Sequence, residues 1–432
     1  MCGMILAPSF YSNDRVLAAM DLMGYRGKDG LGGRAEVNGW KLGHVRLAIQ
    51  DLSAAAAQPF VTIKSMTAFV GEFFTTGERS EQNYLRQLLG KGDFSKVDGF
   101  WAVIHVNADG AYASTDHLGI KPLYLWAEHQ IVCSEIAPMF ALENPPPFDE
   151  VYLGNCIKFG YDYSGRTPYQ GIEQISPGTK VHLKQGGVSS QRYWDWGEVQ
   201  GDPADLRALV DRAIANRLIS DRPVAMLLSG GLDSSIIYYS LKEQGRSVEA
   251  FSVENGESEF LPEGVSALPL EPVGLAEAVK VMQAPLDLGS LIPQIQLARA
   301  VAGRGYNVVL TGDGADELFG GYQRAAEYDS QASDTFCELP YYHLPRLDRV
   351  MMRSTIELRS PFLAPSVVAA ALRLPRSERT SKQALKEAYR GLVPDRILAR
   401  NKHPLKTQAV IQGGFAYRQQ IAEEFRRVRT SL

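Results

Sequence analysis

Between Met4 and about Tyr193, short apolar runs alternate with glycine and turn residues. Among them are Met4-Ile5-Leu6-Ala7, Thr67-Ala68-Phe69-Val70, Trp101-Ala102-Val103-Ile104-His105-Val106 and Gln130-Ile131-Val132-Cys133. Runs of this length bounded by turn signals predict a sheet-rich region. Asp14 to Met23 and Ser80 to Leu89 instead space their apolar residues at helical intervals. The pattern changes after Arg192-Tyr193-Trp194-Asp195-Trp196: Gly201-Asp202-Pro203 breaks the chain, and Ala204 to Leu218 reads as an amphipathic helix. Beyond it, the apolar runs Val224 to Leu228, Glu249 to Val253 and Asn307 to Leu310 alternate with helical stretches such as Ile292 to Ala302. That alternation predicts a parallel doubly wound sheet, whose ligands bind at the carboxyl ends of its strands. We place the domain boundary between residues 198 and 199. Asn255 to Pro272, rich in Glu, Gly and Pro, lacks a core pattern and is expected to be a loop.

Length supports the division, because 432 residues with 45% hydrophobic content exceed one ordinary core. A net charge of −4 gives no global attraction for nucleic acid or an anionic membrane, so small-molecule partners are expected. Cys2, Cys133, Cys156 and Cys337 form neither a CxxC pair nor a disulfide framework, which suits a reducing cytoplasm. Neither a signal peptide nor a membrane span is expected, since no stretch approaches ~18 uninterrupted apolar residues. The seven histidines show no HxxxH spacing, so no zinc site is expected.

Two features carry chemistry. Were Met1 removed, Cys2 would hold a thiol beside a free α-amine, whose pKa of about 7.7–8.0 leaves it partly neutral near pH 7. Nucleophile and base would then share one residue. The second feature, Ser229-Gly230-Gly231-Leu232-Asp233-Ser234-Ser235, follows an apolar run and precedes Ile236-Ile237-Tyr238-Tyr239. It reads as strand, glycine turn and helix start, an arrangement that cradles phosphate. It is not GxxxxGK[ST], which argues against kinase-like γ-phosphoryl transfer. A second acidic turn, Asp313-Gly314-Ala315-Asp316-Glu317, follows the run ending at Leu310 and so belongs at the same sheet edge. Taken singly, Lys382 reads as a solvated lysine and Arg46 as a structural salt-bridge partner.

The order of motifs adds more. Cys2-Gly3, then Gly43-His44-Val45-Arg46-Leu47 with Asp51-Leu52 and Gln58-Pro59, are followed by Asp116 to Tyr124, Ser229 to Ser235, and Thr311 to Tyr322. This succession resembles the asparagine synthetase family of class II glutamine amidotransferases. The resemblance implies an N-terminal-nucleophile α-β-β-α sandwich over 1–198, followed by a doubly wound parallel α/β synthetase domain over 199–432. It implies that Cys2 attacks glutamine to give a thioester, with Arg46, Gly71 and Glu72 holding the substrate. It further implies that Leu228, Ser229, Gly230, Gly231, Asp233, Ser234, Ser235, Val253 and Gly312 hold ATP and its pyrophosphate, and that Asp233 and Asp316 hold Mg2+. Asp313 then lies near an acyl-adenylate and Lys382 neutralises charge during adenylation. Asp116 to Tyr124 is expected to be a structural turn beneath the glutamine site. The implied cofactors are ATP and Mg2+. The implied partners are glutamine and a small carboxylate acceptor, aspartate by default, with a homodimer as an option.

The chain departs from the family pattern in three places. Val70-Gly71-Glu72 stands where Asn-Gly-Glu is usual, which removes one oxyanion donor. Arg79 takes the register of an aspartate that binds the glutamine α-amine, with Glu78 or Glu81 as substitutes. The chain is also shorter after Val253 and around Ser330 to Leu347, regions that shape the acceptor pocket. Two alternatives follow: an amide- or lactam-forming ligase on another carboxylate with a weak or vestigial glutaminase, and a non-catalytic binding relative.

Overall fold

Along the first strand, Ile5 and Ala7 pack to one side while Met4 and Leu6 pack to the other. That period of two fixes the layering of the whole N-terminal region. The computed structural model describes residues 2–30, 32–74, 81–184, 186–196, 205–253, 260–286, 289–322, 334–400 and 415–428. The expected boundary at 198/199 lies outside them.

Among the described residues, twelve strands precede it: β1 (Gly3–Pro8), β2 (Arg34–Val37), β3 (Trp40–Val45), β4 (Phe60–Val61), β5 (Met66–Phe73), β6 (Gly99–Asn107), β7 (Gly110–Thr115), β8 (Tyr124–Trp126), β9 (Ile131–Cys133), β10 (Ile172–Gln174), β11 (Thr179–Lys184) and β12 (Gly187–Arg192). They form two antiparallel six-stranded sheets, ordered β10-β8-β9-β1-β3-β2 and β12-β11-β7-β6-β5-β4. Met4, Leu6 and Leu42 of the first sheet meet Ala68, Val70 and Ile104 of the second in one buried layer. Outside the first sheet, helix α1 (Asn13–Leu22) lays Val16 and Ala19 on Ile5 and Ala7. Outside the second, α2 (Glu81–Lys91) lays Leu85 and Leu88 on Phe69, Phe73 and Trp101. Helix, sheet, sheet and helix therefore stack as the resemblance implied.

The C-terminal region holds one parallel sheet built from β13 (Val224–Leu227), β14 (Glu249–Val253), β15 (Ser266–Leu268), β16 (Val308–Leu310) and β17 (Glu357–Arg359), ordered β15-β14-β13-β16-β17. Here the loop expected over Asn255 to Pro272 is corrected, because Ser266–Leu268 pairs with β14 and extends the sheet. Glu357–Arg359 was likewise not foreseen as a strand. Three residues are too few to display a period, and only the ladder beside β16 makes them strands.

Helix Leu344–Arg353 joins the two regions and buries Arg346, Asp348 and Arg349 together with its apolar residues. Asp348 receives Arg26 at 2.7 Å and Lys121 at 2.8 Å from the sandwich. Arg26 also pairs with Glu135, and Arg349 donates to the Tyr124 hydroxyl. Burial pushes the Asp348 carboxyl up, but Arg26 and Lys121 outweigh it and hold it at about 2. Among the described residues, no helix is long and apolar enough to cross a membrane.

Candidate active site

β13 ends at Leu227, and the chain turns sharply through Leu228, Ser229 and Gly230 into the helix Leu232–Glu243, which Gly231 caps. Gly230 takes a φ of 71°, a conformation that residues with a Cβ avoid. The turn is laced by its own serines: Ser229 N–H donates to Ser234 Oγ at 3.2 Å, and Gly231 N–H to Ser229 Oγ at 3.3 Å. Ser235 is buried in the first turn of the helix. Val253 ends β14 on one side of this turn, and Gly312 follows β16 on the other. A Cβ on Gly312 would stand 2.7 Å from Asp233 Cβ, so glycine there lets the two edges close. The predicted nucleotide residues thus gather at the carboxyl ends of three neighbouring strands.

Asp233 and Asp316 come together at this edge around Lys382. The Lys382 ammonium lies 2.7 and 2.5 Å from the two oxygens of Asp233 and 2.6 Å from Asp316 Oδ1. Burial would lower the lysine pKa, but the two carboxylates outweigh it and raise it. Lys382 is therefore buried and paired rather than solvated on a helix surface. Two carboxylates aimed at one cation position are hard oxygen donors of the kind Mg2+ takes, and a Cβ on Gly321 would reach Asp316 Oδ1 at 1.9 Å. The donor set fits the metal that the family implies.

Asp313 stands beside this group. Thr311 donates to its Oδ2 at 2.5 Å, and Arg346 Nη2 lies 3.4 Å from its Oδ1. Burial pushes its carboxyl above the ordinary aspartate value, against the pull of Arg346. Arg346 also donates to Ser290, while its buried Nε has no hydrogen-bond partner among the described residues. Glu317 accepts from the Tyr322 hydroxyl at 2.6 Å and lies 3.5 Å from His343. Sequence reasoning singled out neither Arg346 nor His343. For Arg346 the available signal was a run in which charges alternate with apolar residues, Leu344-Pro345-Arg346-Leu347-Asp348-Arg349, and His343 had none.

In the sandwich, Cys2 lies in the layer between the sheets, with Val70 in the same cluster. Its Sγ faces the Leu47 carbonyl at 3.8 Å, and burial pushes the thiol up to about 11. Arg26 Nε donates to the Cys2 carbonyl at 3.0 Å, which ties the candidate nucleophile to the Asp348 network. The Arg46 guanidinium binds the carbonyls of Gln50, Asp51 and Ser53. Gly71 has a φ of 107°, and a Cβ there would collide with the Phe100 carbonyl oxygen at 1.9 Å. Glu72 accepts from Gln50 Nε2 at 2.5 Å and lies 3.9 Å from Arg359 Nη2. Burial, then Glu81 and Glu357, raise its pKa. Glu81 itself is pushed to about 8, first by burial. Met1, Glu78 and Arg79 lie outside the described residues.

Asp116 forms a structural turn, its carboxylate accepting N–H groups from Trp101, Leu118, Ile120 and Lys121. Cys133 and Cys156 are buried and Cys337 is exposed. Between the sandwich and the synthetase edge lies a small pocket lined by Phe100, Lys121, Leu347, Asp348, Ser360 and Leu363 among others. Ser360 Oγ in turn donates to the Asp313 carbonyl.

Known proteins share both halves. The asparagine synthase family model matches residues 205–340 and 331–424, and the glutamine amidotransferase domain model matches 1–88 and 82–194. Amidase chyE of Penicillium rubens is 27% identical over 409 residues, covering 78% of this chain and 59% of that protein. Asparagine synthetase B of Escherichia coli is 26% identical over 457 residues, covering 90% and 78%. Amidase chry2 of Gibberella zeae is 26% identical over 379 residues, covering 70% and 54%. The chain thus spans less than two thirds of the length of both amidases. Its motifs, its parallel synthetase sheet and these matches place the chain in the asparagine synthase family, with a glutamine amidotransferase domain preceding the synthetase region.

Proposed function

We propose that this protein is an ATP-dependent, AMP-forming amide ligase that draws its ammonia from glutamine. Its domains are residues 1–198 and 199–432. In this reading an acceptor carboxylate attacks the α-phosphorus of ATP, so that a C–O–P link forms and pyrophosphate leaves. Ammonia then attacks the acyl-adenylate carbonyl and AMP departs. Mg2+, when bound, would offset charge on the pyrophosphate, with Asp233 and Asp316 as its ligands. This chain's own residues supply the rest. The backbone of Ser229 to Gly231 approaches the phosphates, Lys382 counters charge at the reacting phosphorus, and Arg346 orients the acceptor beside Asp313. Ammonia would cross the pocket lined by Lys121, Asp348 and Ser360 without entering bulk water.

The observation that carries this reading is the convergence of Asp233, Asp316 and Lys382, from three separate segments, at the carboxyl edge of the parallel sheet. A protein that merely bound a nucleotide would not need all three. The test is pyrophosphate release across a panel of carboxylates with ammonium supplied, aspartate included. Asp233→Asn and Asp316→Asn should each suppress release with either nitrogen donor, and normal turnover in both would overturn the assignment.

A second reading has its own support. Val70 fills the apolar layer beside Cys2 where a side-chain oxyanion donor would be needed, and two of the relatives carry the name amidase. Under it the acceptor is a carboxylate other than aspartate, such as a peptide or specialised metabolite, and the glutaminase is weak. The same panel separates the two, and ATP–pyrophosphate exchange separates both from a binding relative.

A further inference from the structure

Lys382 reaches its carboxylates from a constrained backbone. Ser381 has φ 53° and ψ 28°, and Lys382 has φ 60° and ψ 30°, two successive left-handed residues with neither being glycine. Such a pair persists only where its surroundings over-determine it. Here Ser381 N–H donates to the Gly320 carbonyl at 3.1 Å and Lys382 N–H to the Phe319 carbonyl at 2.8 Å, pinning the turn to the end of the Asp316 segment. The side chain then runs inward, and only 7% of the residue is exposed.

The walls fit the lysine as closely. A Cβ on Gly321 would stand 2.5 Å from Lys382 Cε as well as 1.9 Å from Asp316 Oδ1. On the far side Gly312 lets Asp233 approach. Two strand-end segments therefore close around one ammonium, which already lies at hydrogen-bond distance from the oxygens a divalent cation would use. A cation arriving alone must displace a partner fixed to both carboxylates. One arriving on a triphosphate brings anionic oxygens that can receive the displaced ammonium.

We propose that Lys382 is the resident cation of this site, excluding free divalent metal and yielding only to metal carried by a nucleotide, whose phosphates then take up the lysine. The inference rests on reading this edge as an ATP site. It adds a built-in order: metal and triphosphate enter together, and the lysine meets the reacting phosphate only once they have done so. A lysine serving merely as structural glue would not tie its position to nucleotide.

The test uses the whole chain, with Mn2+ as a spectroscopic stand-in for Mg2+ and α,β-methylene-ATP as a nucleotide that cannot transfer its adenylyl group to an acceptor, because its α–β bridge does not cleave. Free Mn2+ is titrated by electron paramagnetic resonance into wild type and Lys382→Met. Without nucleotide the variant should bind Mn2+ at least about tenfold more tightly, because it lacks a positive charge in direct contact with the ligands. With nucleotide the difference should fall below about threefold, since the metal now arrives with compensating anions. Equal affinities without nucleotide would overturn the proposal. Wild type provides a check that needs no variant to fold: acetylation of Lys382, read by mass spectrometry, should be slow and unchanged by Mn2+ alone. A rise in labelling on Mn2+ alone shows that free metal displaces the lysine, and the proposal fails. Failure of α,β-methylene-ATP to bind wild type would instead sink the ATP reading, while the nucleotide-free comparison still decides what Lys382 does.

Discussion

At the residue scale, the proposed glutaminase rests on Cys2 as its candidate nucleophile. Burial holds its thiol at about 11, so a thiolate is scarce at neutral pH and attack needs a base at hand. Alkylation by iodoacetamide at pH 7.5, followed by mass spectrometry, should mark exposed Cys337 well before Cys2, and Cys2 labelling should climb as pH approaches 11. Equal rates at pH 7.5 would mean an activated thiol. Cys2→Ala should abolish glutamine-dependent product while sparing ammonium-dependent product, because the proposed adenylation residues all lie in the other region. Val70 is the second residue to change. Removing one oxyanion donor typically costs about 10²–10³ in rate, so Val70→Asn should speed glutamine hydrolysis if the pocket admits the substrate. No change would argue that recognition, and not the oxyanion, limits the site.

Among the elements, β5 shows how backbone and site depend on one another. Its alternation sends Phe69 and Phe73 to the helix side and Ala68 and Val70 to the inter-sheet layer, with Gly71 and Glu72 carrying the strand toward the proposed glutamine site. Gly71 cannot be replaced cheaply, since its φ of 107° and the Phe100 carbonyl both exclude a Cβ. Gly71→Ala is expected to destabilise the protein by at least about 2 kcal/mol, read as a lowered midpoint in urea. A variant as stable as wild type would show that β5 relaxes without cost. The helix Leu344–Arg353 is the counterpart in the other region. It brings three charged side chains into the interior, each meeting a different part of the molecule: Arg346 Asp313, Asp348 the sandwich, and Arg349 both Tyr124 and Met282.

At the scale of the whole molecule, that helix is one of several ties between the two regions, beside the pairs Arg217–Asp98 and Arg222–Asp29. Asp348 compensates Arg26 and Lys121 at once, with all three side chains buried. Asp348→Asn would leave buried Lys121 without its carboxylate and Arg26 with Glu135 alone, a break in a buried ion pair that typically costs about 3–5 kcal/mol, and should lower the melting temperature while weakening glutamine-dependent turnover more than ammonium-dependent turnover. An unchanged melting temperature would remove Asp348 from the interface. The pH dependence has a definite sign. Because the folded pKa of about 2 lies below the ordinary 3.8, the contribution of Asp348 is complete above pH 3.8 and is lost as pH falls through 2. Acid denaturation followed by circular dichroism should therefore begin at lower pH in wild type than is expected of an uncompensated aspartate. Much of this architecture was legible in the residue pattern. Short apolar runs such as Met4 to Ala7 announced a sheet-rich region, the strand–turn–helix around Ser229 announced an anion cradle, and the acidic turn after Leu310 was placed at the same edge, because each of these is a local property of consecutive residues, whereas the sandwich itself came from the family resemblance. Three other features were decided only by the fold: that Ser266–Leu268 and Glu357–Arg359 are strands, that Lys382 lies between Asp233 and Asp316, and that Arg26, Lys121 and Asp348 form one buried group. These pairings join positions far apart in the chain, and neither a short strand nor a single charge reveals its partner until packing removes both from water.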